Sequence, residues 1–306
     1  MLAATLLFSL LAPPAASARA VVERVSRVTY ADAAAGLQAW VGSKGELRLR
    51  SRGGGTVSSA AVRGGIAPLH LDVGTDAAGK PLVAYARCNA KGLHCNLFVY
   101  DPARRTETRM SAAINSAAEE GYPSVYGGRI AFARWSSKRP LHPGKPRAYV
   151  SLLRGLPVRE RLGPGGVTGV TWTELTPRGL FVGALYPADF REQRMLRLVE
   201  GKVVRIDRAT SGGASAANMT KPFVGARHIY YARTNRGSGQ GNRFFRIHLK
   251  TGVREEAQGS GRTQSAAWLG SRFLVSSLGY DGTNEVSAIE ETDRTRWRPA
   301  RPPRRD

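Results

Sequence analysis

One apolar segment recurs along the chain at a regular interval, and this repeat constrains the fold more than any other feature. Three of its copies end in arginine. The six copies are Leu37–Val41, Val83–Arg87, Ile130–Arg134, Phe181–Leu185, Ile229–Arg233 and Phe273–Val275. Successive copies begin 44 to 51 residues apart. A period of this length is typical of architectures that stack one supersecondary unit many times.

Alternation and turn residues predict four strands in each unit, most clearly in the second. The predicted strands of this unit are Leu69–Val73, Pro81–Arg87, Asn96–Tyr100 and Thr106–Met110, with a turn at Asp76–Gly79. One four-stranded sheet occupies about 40 to 50 residues. The sequence therefore predicts an all-β chain, a six-bladed β-propeller of four-stranded antiparallel blades. Since such a ring must close, we expect residues 25–29, ahead of the first unit, to complete the last blade.

Several segments carry a family resemblance. They are Asp76–Pro81, Tyr122–Ser124 followed by Ile130–Arg134, and Asn96–Asp101. This pattern resembles the TolB-like six-bladed propellers built from WD40-like repeats. The resemblance covers most of the chain and implies an exported bacterial propeller. It implies no single activity, because this architecture serves scaffolds, periplasmic partners and accessory domains of hydrolases alike.

The first twenty residues are typical of an export signal. An apolar run from Leu2 to Leu11 is followed by Pro13, Pro14 and small residues up to Ala20. An uncleaved membrane anchor is the alternative, but the run is short where a spanning helix needs about 20 residues. We predict a signal peptide at 1–20, one propeller domain at 21–293, and a basic disordered tail at 294–306. No later segment is predicted to cross a membrane, so the expected location is secreted, periplasmic or envelope-associated.

The only two cysteines, Cys88 and Cys95, flank a short loop and predict a disulfide at a hairpin end. A metal site and free thiols remain alternatives. His94 is adjacent, but no second cysteine pair or histidine cluster supports a zinc site.

The chain has 46 Lys and Arg against 23 Asp and Glu, which gives a formal charge of +23. Only eight of the basic residues are Lys, a bias that GC-rich coding produces without selection for a binding face. A field of this sign still attracts anionic polymers and lipids. We expect an envelope polyanion as partner rather than a specific nucleic acid.

Familiar catalytic motifs are missing from the sequence. Gly74–Lys80 matches a phosphate-loop spacing, but Pro81 follows and the segment is interpreted as a turn. The five histidines lack metal-ligand spacing, and the paired glutamates, such as Glu119-Glu120, are interpreted as solvated strand ends. The Asp72, Asp76 and Asp101 spacing does not fit a calcium loop. We therefore predict no catalytic residues, no metal and no cofactor.

One set of candidate binding residues comes from the repeat itself. Arg87, Arg134 and Arg233 end the same strand in three units, which places them on one face of a propeller beside the loops joining second to third strands. Those loops carry further basic residues, namely Lys138, Arg139, Lys145, Arg147, Arg191, Arg194, Arg236 and Arg243. The hypothesis is that this face captures an anionic ligand through bidentate arginine contacts. The alternative is that an arginine-rich chain carries arginine at strand ends by composition alone.

Taken together, these patterns predict an exported, non-catalytic, monomeric β-propeller that binds a protein or an anionic polymer at the cell envelope. An enzyme is the alternative, a glycan lyase or hydrolase with its site at the channel mouth, where His, Tyr, Arg or acidic residues would converge. A purely structural module of an envelope assembly is the third possibility.

Overall fold

The computed structural model of the chain describes a set of segments separated by short gaps. They are residues 19–25, 30–51, 58–59, 68–89, 94–135, 147–153, 157–160, 167–186, 192–210, 218–234, 243–258, 262–269, 272–281, 284–293 and 297–299. Every regular element in these segments is a β-strand.

The strands follow one another in chain order as β1 (Arg19–Val25), β2 (Ala31–Ala34), β3 (Leu37–Val41), β4 (Leu47–Ser51), β5 (Ser58–Ser59), β6 (Leu69–Thr75), β7 (Pro81–Arg87), β8 (Asn96–Asp101), β9 (Thr106–Arg109), β10 (Glu119–Tyr126), β11 (Arg129–Trp135), β12 (Arg147–Leu152), β13 (Pro157–Glu160), β14 (Gly169–Thr176), β15 (Gly179–Tyr186), β16 (Glu192–Val199), β17 (Lys202–Thr210), β18 (Asn218–Met219), β19 (Phe223–Val224), β20 (His228–Thr234), β21 (Arg243–His248), β22 (Arg254–Gln258), β23 (Arg262–Trp268), β24 (Arg272–Asp281), β25 (Asn284–Asp293) and β26 (Arg298–Pro299).

Within the described segments these strands form six small antiparallel sheets, numbered here in chain order. Sheet 1 is β2–β5, sheet 2 is β6–β9, sheet 3 is β10–β13 and sheet 4 is β14–β17. Sheet 5 contains β18–β22 with β26 at its edge, and sheet 6 contains β23–β25 with β1 at its edge. This is the β-propeller arrangement of small antiparallel sheets that the repeat predicts, and the all-β class is confirmed.

The predicted strands agree closely with the observed ones. The recurring apolar segment is the second strand of its sheet, as in β7 and β11. Its residues are buried on both faces, because neighbouring sheets cover the two sides. This double burial explains why the segment is apolar throughout instead of alternating, and why it stands out in the sequence.

The apolar core lies between the sheets, not inside any one of them. Six clusters of buried side chains each join two sheets. They lie between sheets 1 and 2, 2 and 3, 3 and 4, 4 and 5, 5 and 6, and 6 and 1. Each sheet is therefore covered by two neighbours, and the packing runs in a circle.

The first strands of the sheets lie side by side at the centre, and one glycine marks how closely they approach. A Cβ atom added to Gly74 in β6 would lie 1.6 Å from the backbone oxygen of Val125 in β10. Any side chain at position 74 would separate sheets 2 and 3. The phosphate-loop spacing at Gly74–Lys80 thus reflects a packing requirement and a turn, in which Asp76 Oδ1 accepts hydrogen bonds from the N–H groups of Ala78 and Lys80.

The two ends of the sheets differ in their connections. At one end, called here the turn end, tight turns join first to second strands, for example at residues 76–80 and 127–128. At the other, the loop end, longer segments join second to third strands, at 88–95, 136–146, 187–191 and 235–242.

Ring closure uses the N-terminal strand. Strand β1 pairs antiparallel with β25, from Arg19 opposite Thr292 to Val25 opposite Ser287, and so supplies the fourth strand of sheet 6. Val25 is buried against Ala31 and Trp40 of sheet 1. The prediction that the segment around residue 25 completes the last sheet is confirmed for Val25, while residues 26–29 lie outside the described part. Arg19 and Ala20, which precede the predicted cleavage point, belong to the same strand.

The predicted disulfide joins Cys88 to Cys95. Disorder was predicted for residues 294–306, but residues 297–299 are ordered. Strand β26 pairs with β22, and the centroid of the Trp297 ring lies 6.1 Å from that of Tyr230. The remainder of that tail and residues 1–18 lie outside the described segments. No described segment is a helix of the length and apolarity needed to cross a membrane.

Removing β1 tests the closure. A chain that starts at residue 26 should melt about 10 °C or more below one that starts at residue 19, since the unpaired β25 and the exposed cluster between sheets 6 and 1 cost several kcal/mol. Circular dichroism or calorimetry measures the difference. Equal melting temperatures for the two chains would contradict closure through β1.

Candidate functional site

The three arginines predicted to bind a ligand occupy equivalent positions near the ends of second strands. Each guanidinium lies over an aromatic ring of the third strand. The distances to the ring centroid are 5.3 Å for Arg87 over Phe98, 4.8 Å for Arg134 over Tyr149 and 4.8 Å for Arg233 over Phe245. The repeated terminal arginine therefore corresponds to a repeated environment, as propeller symmetry predicts.

Each of these guanidinium groups also has an internal carboxylate partner. The Nη1 atom of Arg87 is 2.9 Å from Glu107 Oε1, and the Nε atom of Arg134 is 2.8 Å from Glu120 Oε1. The third, Arg233, pairs with Asp207 of sheet 4. A ligand-binding role for the three arginines stays a prediction. The geometry adds that an anionic ligand would have to compete with carboxylates that already form charge-assisted hydrogen bonds.

Of the other basic residues predicted around this face, Arg147, Arg194 and Arg243 are described. Arg194 pairs with Glu192, and Arg243 lies 3.2 Å from Glu256 with 48% of its side chain exposed. All three lie at the loop end. Lys138, Arg139, Lys145, Arg191 and Arg236 lie outside the described residues.

The interpretation of Glu119-Glu120 as a solvated strand end is wrong. Both residues are buried in β10. Glu119 accepts hydrogen bonds from the N–H groups of His94 and Cys95, so it fixes the disulfide loop against sheet 3. Glu120 binds Arg134 and Ser116. Adjacent residues on a strand face opposite ways, and here both faces are covered.

Polar side chains of the first strands link neighbouring sheets around the centre. Each accepts a hydrogen bond from a backbone N–H of the next sheet. The pairs are Asp32 Oδ2 with Val73 N (2.8 Å), Asp72 Oδ2 with Val125 N (2.7 Å) and Ser124 Oγ with Leu175 N (2.8 Å). A further bond of this kind, from Ala31 N to Ser265 Oγ at 2.8 Å, joins sheets 1 and 6.

Lys221 projects into the middle of this ring of side chains. Its ammonium contacts three carboxyl groups, Asp32, Asp72 and Glu174, and lies 3.3 Å from Glu174 Oε2. These four residues come from sheets 1, 2, 4 and 5. We call them the channel cluster. Sequence reasoning missed the cluster, because its members lie 40 to 189 residues apart. The only signal available was a polar residue in the same part of successive first strands.

Burial and the attraction between opposite charges shift the pKa values of the channel cluster in opposite directions. Burial raises the pKa of the Glu174 carboxyl well above its ordinary value, and the attraction of Lys221 only partly opposes this shift. Burial likewise raises the pKa of Asp72. Burial alone would lower the pKa of Lys221, but the charges of Asp32, Asp72 and Glu174 together raise it well above its ordinary value. The lysine is therefore cationic, and Glu174 holds a proton more readily than an exposed glutamate.

An aromatic layer lies next to the channel cluster. Tyr30, His70 and Tyr122 each lie two positions before one of the side chains that link the first strands, namely Asp32, Asp72 and Ser124. The rings of His70 and Tyr122 stack with centroids 3.8 Å apart. His70 and Tyr122 both have backbone φ angles of 52°, a region that residues other than glycine rarely adopt. Both lie at bulges, His70 in β6 and Tyr122 in β10. Burial lowers the pKa of His70 to about 3, so the imidazole is neutral.

The backbone at Gly121 explains part of this strained arrangement. A Cβ atom there would lie 2.8 Å from the Trp135 ring and 3.2 Å from His70 Nδ1. The Nδ1 atom of His70 is buried and has no hydrogen-bond partner among the described residues. The aromatic layer thus packs on one side against the backbone of Gly121, where no side chain would fit. Strained backbone conformations such as those of His70 and Tyr122 often mark ligand or switch regions.

Chemically, the channel cluster is suited to holding sheets together. The ammonium of Lys221 lies between carboxyl groups of three other sheets and so links them. Within the described segments, no three His, Cys, Asp or Glu side chains are grouped so as to hold a metal ion.

Comparison with known proteins places the chain by its fold. No family model matches the sequence, and no curated protein does. Among solved structures, a protein of unknown function from Dyadobacter fermentans is 12% identical, with a TM-score of 0.55, and the match covers 90% of this chain and 99% of that one. TolB from Acinetobacter baumannii is 16% identical, with a TM-score of 0.53 and 82% of this chain covered. The likeness is one of fold.

The chain spans about 62% of the length of TolB. An oligogalacturonate lyase in complex with manganese is 13% identical, with a TM-score of 0.50 over 82% of this chain and 69% of that one. At these identities the shared feature is the β-propeller, and activity does not follow from it.

The ion pair of Arg134 should be essential to stability. Arg134→Ala leaves Glu120, whose side chain has no exposed surface, without its cationic partner. Urea unfolding at neutral pH should show a loss of about 3 kcal/mol. Arg129→Ala, an exposed change in the same strand, should cost less than about 0.5 kcal/mol. Adding Glu120→Gln to Arg134→Ala should recover part of the loss, and similar values for both single variants would refute the assignment.

Glu174 should make stability depend on pH. Its folded pKa exceeds the ordinary value of 4.5 that applies to the unfolded chain, so stability is lost as pH rises above about 4.5. Glu174→Gln removes this titration. The melting temperature of the natural chain, relative to that variant, should therefore fall as pH rises from about 4.5 to neutrality. Glu200→Gln, an exposed change, provides the control. A melting-temperature difference between the natural chain and Glu174→Gln that does not change with pH would contradict the raised pKa of Glu174.

Proposed function

We propose that this chain is an exported, six-bladed, TolB-like β-propeller that binds an anionic polymer of the cell envelope at its loop end without chemical turnover. The observation that carries the proposal is the distribution of charge. Several acidic side chains form ion pairs inside the fold, and basic residues outnumber acidic ones two to one over the whole chain.

The excess of basic over acidic residues makes the surface strongly basic. Even if each of the 23 acidic residues neutralised one basic residue, half of the 46 would remain without a carboxylate. Several carboxylates are taken up inside the fold, including Glu107, Glu120, Asp207 and Asp72. The excess positive potential therefore acts outward, and such a field attracts polyanions over a Debye length of about 8 to 10 Å.

Two features support the six-bladed ring. The six inter-sheet clusters form a circle in which the last one joins sheet 6 to sheet 1. Strand β1 also pairs with β25 and so completes sheet 6 next to sheet 1. A ring of this kind leaves only short, protected sheet edges. The Cys88–Cys95 disulfide supports export, because disulfides persist in oxidising compartments.

The loop end is favoured as the binding face. The longer connections lie there, and binding residues are commonly carried on loops held by a rigid scaffold. Arg147, Arg194 and Arg243 lie at the same end. An acidic protein segment would offer similar charge, but a polymer matches the spread of basic residues over several sheets better than one short segment does.

Binding to long-chain polyphosphate, a polyanion without sugars, tests this function. The dissociation constant should rise about tenfold or more between 50 and 200 mM salt, because released counterions drive binding. Replacing Arg147, Arg194 and Arg243 by Gln should weaken binding more than replacing Arg104, Lys202 and Lys250 at the turn end, although both changes remove three charges. Titration calorimetry on folded variants supplies the values. Equal effects of the two triple changes would refute the loop end as the binding face, and no binding by the natural chain would refute the function.

A lyase or hydrolase acting on glycans is the second candidate. It is favoured by the convergence of Tyr30, His70 and Tyr122 next to the channel cluster, where catalytic side chains of a propeller enzyme would be expected. A fold neighbour of this chain is an oligogalacturonate lyase. Release of shorter oligomers from polygalacturonate under the same conditions would favour this candidate over simple binding.

A further inference from the structure

A pocket of about 470 Å³ opens at the turn end, the opposite end of the sheets from the loop end. It lies between sheets 1, 5 and 6. One wall is made by small residues of the first turn, Ala33 to Gly36, which leave the space open. A volume of this size is in the range of small-molecule sites, about 300 to 1,000 Å³.

The opposite wall is aromatic and rigidly packed. The rings of Tyr230 and Trp268 are parallel, with centroids 4.5 Å apart and an interplanar angle of 7°. Trp297 meets Tyr230 edge-on, and Phe223 lies 6.3 Å from it. Rings that are fixed by one another present a preorganised apolar surface at little entropic cost on binding.

The polar part of the pocket is basic. Of its described lining residues, Arg227 and His228 are the ionisable side chains besides Tyr230, and none is Asp or Glu. Arg227 is exposed on the turn. Burial, followed by the nearby charge of Arg246, lowers the pKa of His228, so its imidazole is neutral and can both donate and accept a hydrogen bond.

The backbone holds this turn in place. The N–H of Gly225 donates to His228 O at 2.9 Å, and the N–H of Leu249 donates to Arg227 O at 2.8 Å. From sheet 4, Arg178 Nη2 donates to Ala226 O at 2.7 Å. The cationic and aromatic groups are therefore presented in a fixed relation before any ligand arrives.

We propose that this pocket binds a single acidic sugar unit, a hexuronate, with its ring against the aromatic wall and its carboxylate on Arg227. The C–H face of a pyranose is apolar and packs on aromatic rings, while a guanidinium forms bidentate hydrogen bonds with a carboxylate. The lack of acidic groups among the described lining residues selects against cationic ligands. The pocket lies at the turn end, whereas the proposed polymer binds at the loop end. This inference therefore rests on the proposed function only in that both ligands, the polymer and the hexuronate, are anionic.

Titration calorimetry with D-glucuronate and with neutral D-glucose tests the site. Glucuronate should bind the natural chain at least about tenfold more tightly than glucose, the difference that a charge-assisted contact provides. Arg227→Gln, an exposed change that leaves the core intact, should abolish this preference. Trp268→Ala should weaken both sugars, and its folding is checked by circular dichroism.

The matched controls lie on the corresponding turn of sheet 3, where Arg129 and Tyr126 are exposed. Arg129→Gln and Tyr126→Ala should leave glucuronate binding unchanged. Equal affinities for the two sugars, absence of glucuronate binding, or a preference that survives Arg227→Gln would overturn the assignment. Polyphosphate binding measured in parallel separates the two hypotheses, because it tests the loop end alone.

Discussion

Apolar packing between neighbouring sheets is the interaction on which the rest of this structure depends. A four-stranded sheet has two apolar faces and cannot bury both by itself. Here each sheet lies between two others, and the six clusters of buried side chains form a continuous circle. Stability therefore belongs to the whole ring, as in other architectures where each unit contacts only its neighbours. The close approach at Gly74 shows how little space is left where first strands meet.

Polar groups at the centre are consistent with that packing. The first strands bring carboxylates together where water is scarce, and unpaired charges there would be costly. Lys221 offsets that cost by contacting three of them, while Asp32 and Asp72 also accept backbone hydrogen bonds from the next sheet. The channel cluster thus fixes the relative position of sheets that apolar contacts alone would leave free to slide.

Much of the fold could be predicted from the sequence, because its strongest pattern is local. The second strands are buried on both faces and recur in phase, so β3 and β7 were predicted with the bounds that the structure has. The channel cluster could not be predicted, since Asp32 and Lys221 are 189 residues apart and meet only in the closed ring. Glu120 was misjudged for a related reason. Its charge suggested solvent exposure, but Arg134 compensates it inside the fold.

The pairing of β1 with β25 has a consequence for how such a chain matures. Strand β1 is synthesised well before its partner β25, because the strands of five other sheets lie between them in the chain. Until then β1 has an open edge, and the sheets made in the meantime have one uncovered end. Contacts between such distant segments form slowly, and open edges invite pairing with other chains. A ring closed by strands so far apart in the chain is consequently most vulnerable during synthesis, and a chaperone that shields residues 19–25 would protect it at that stage.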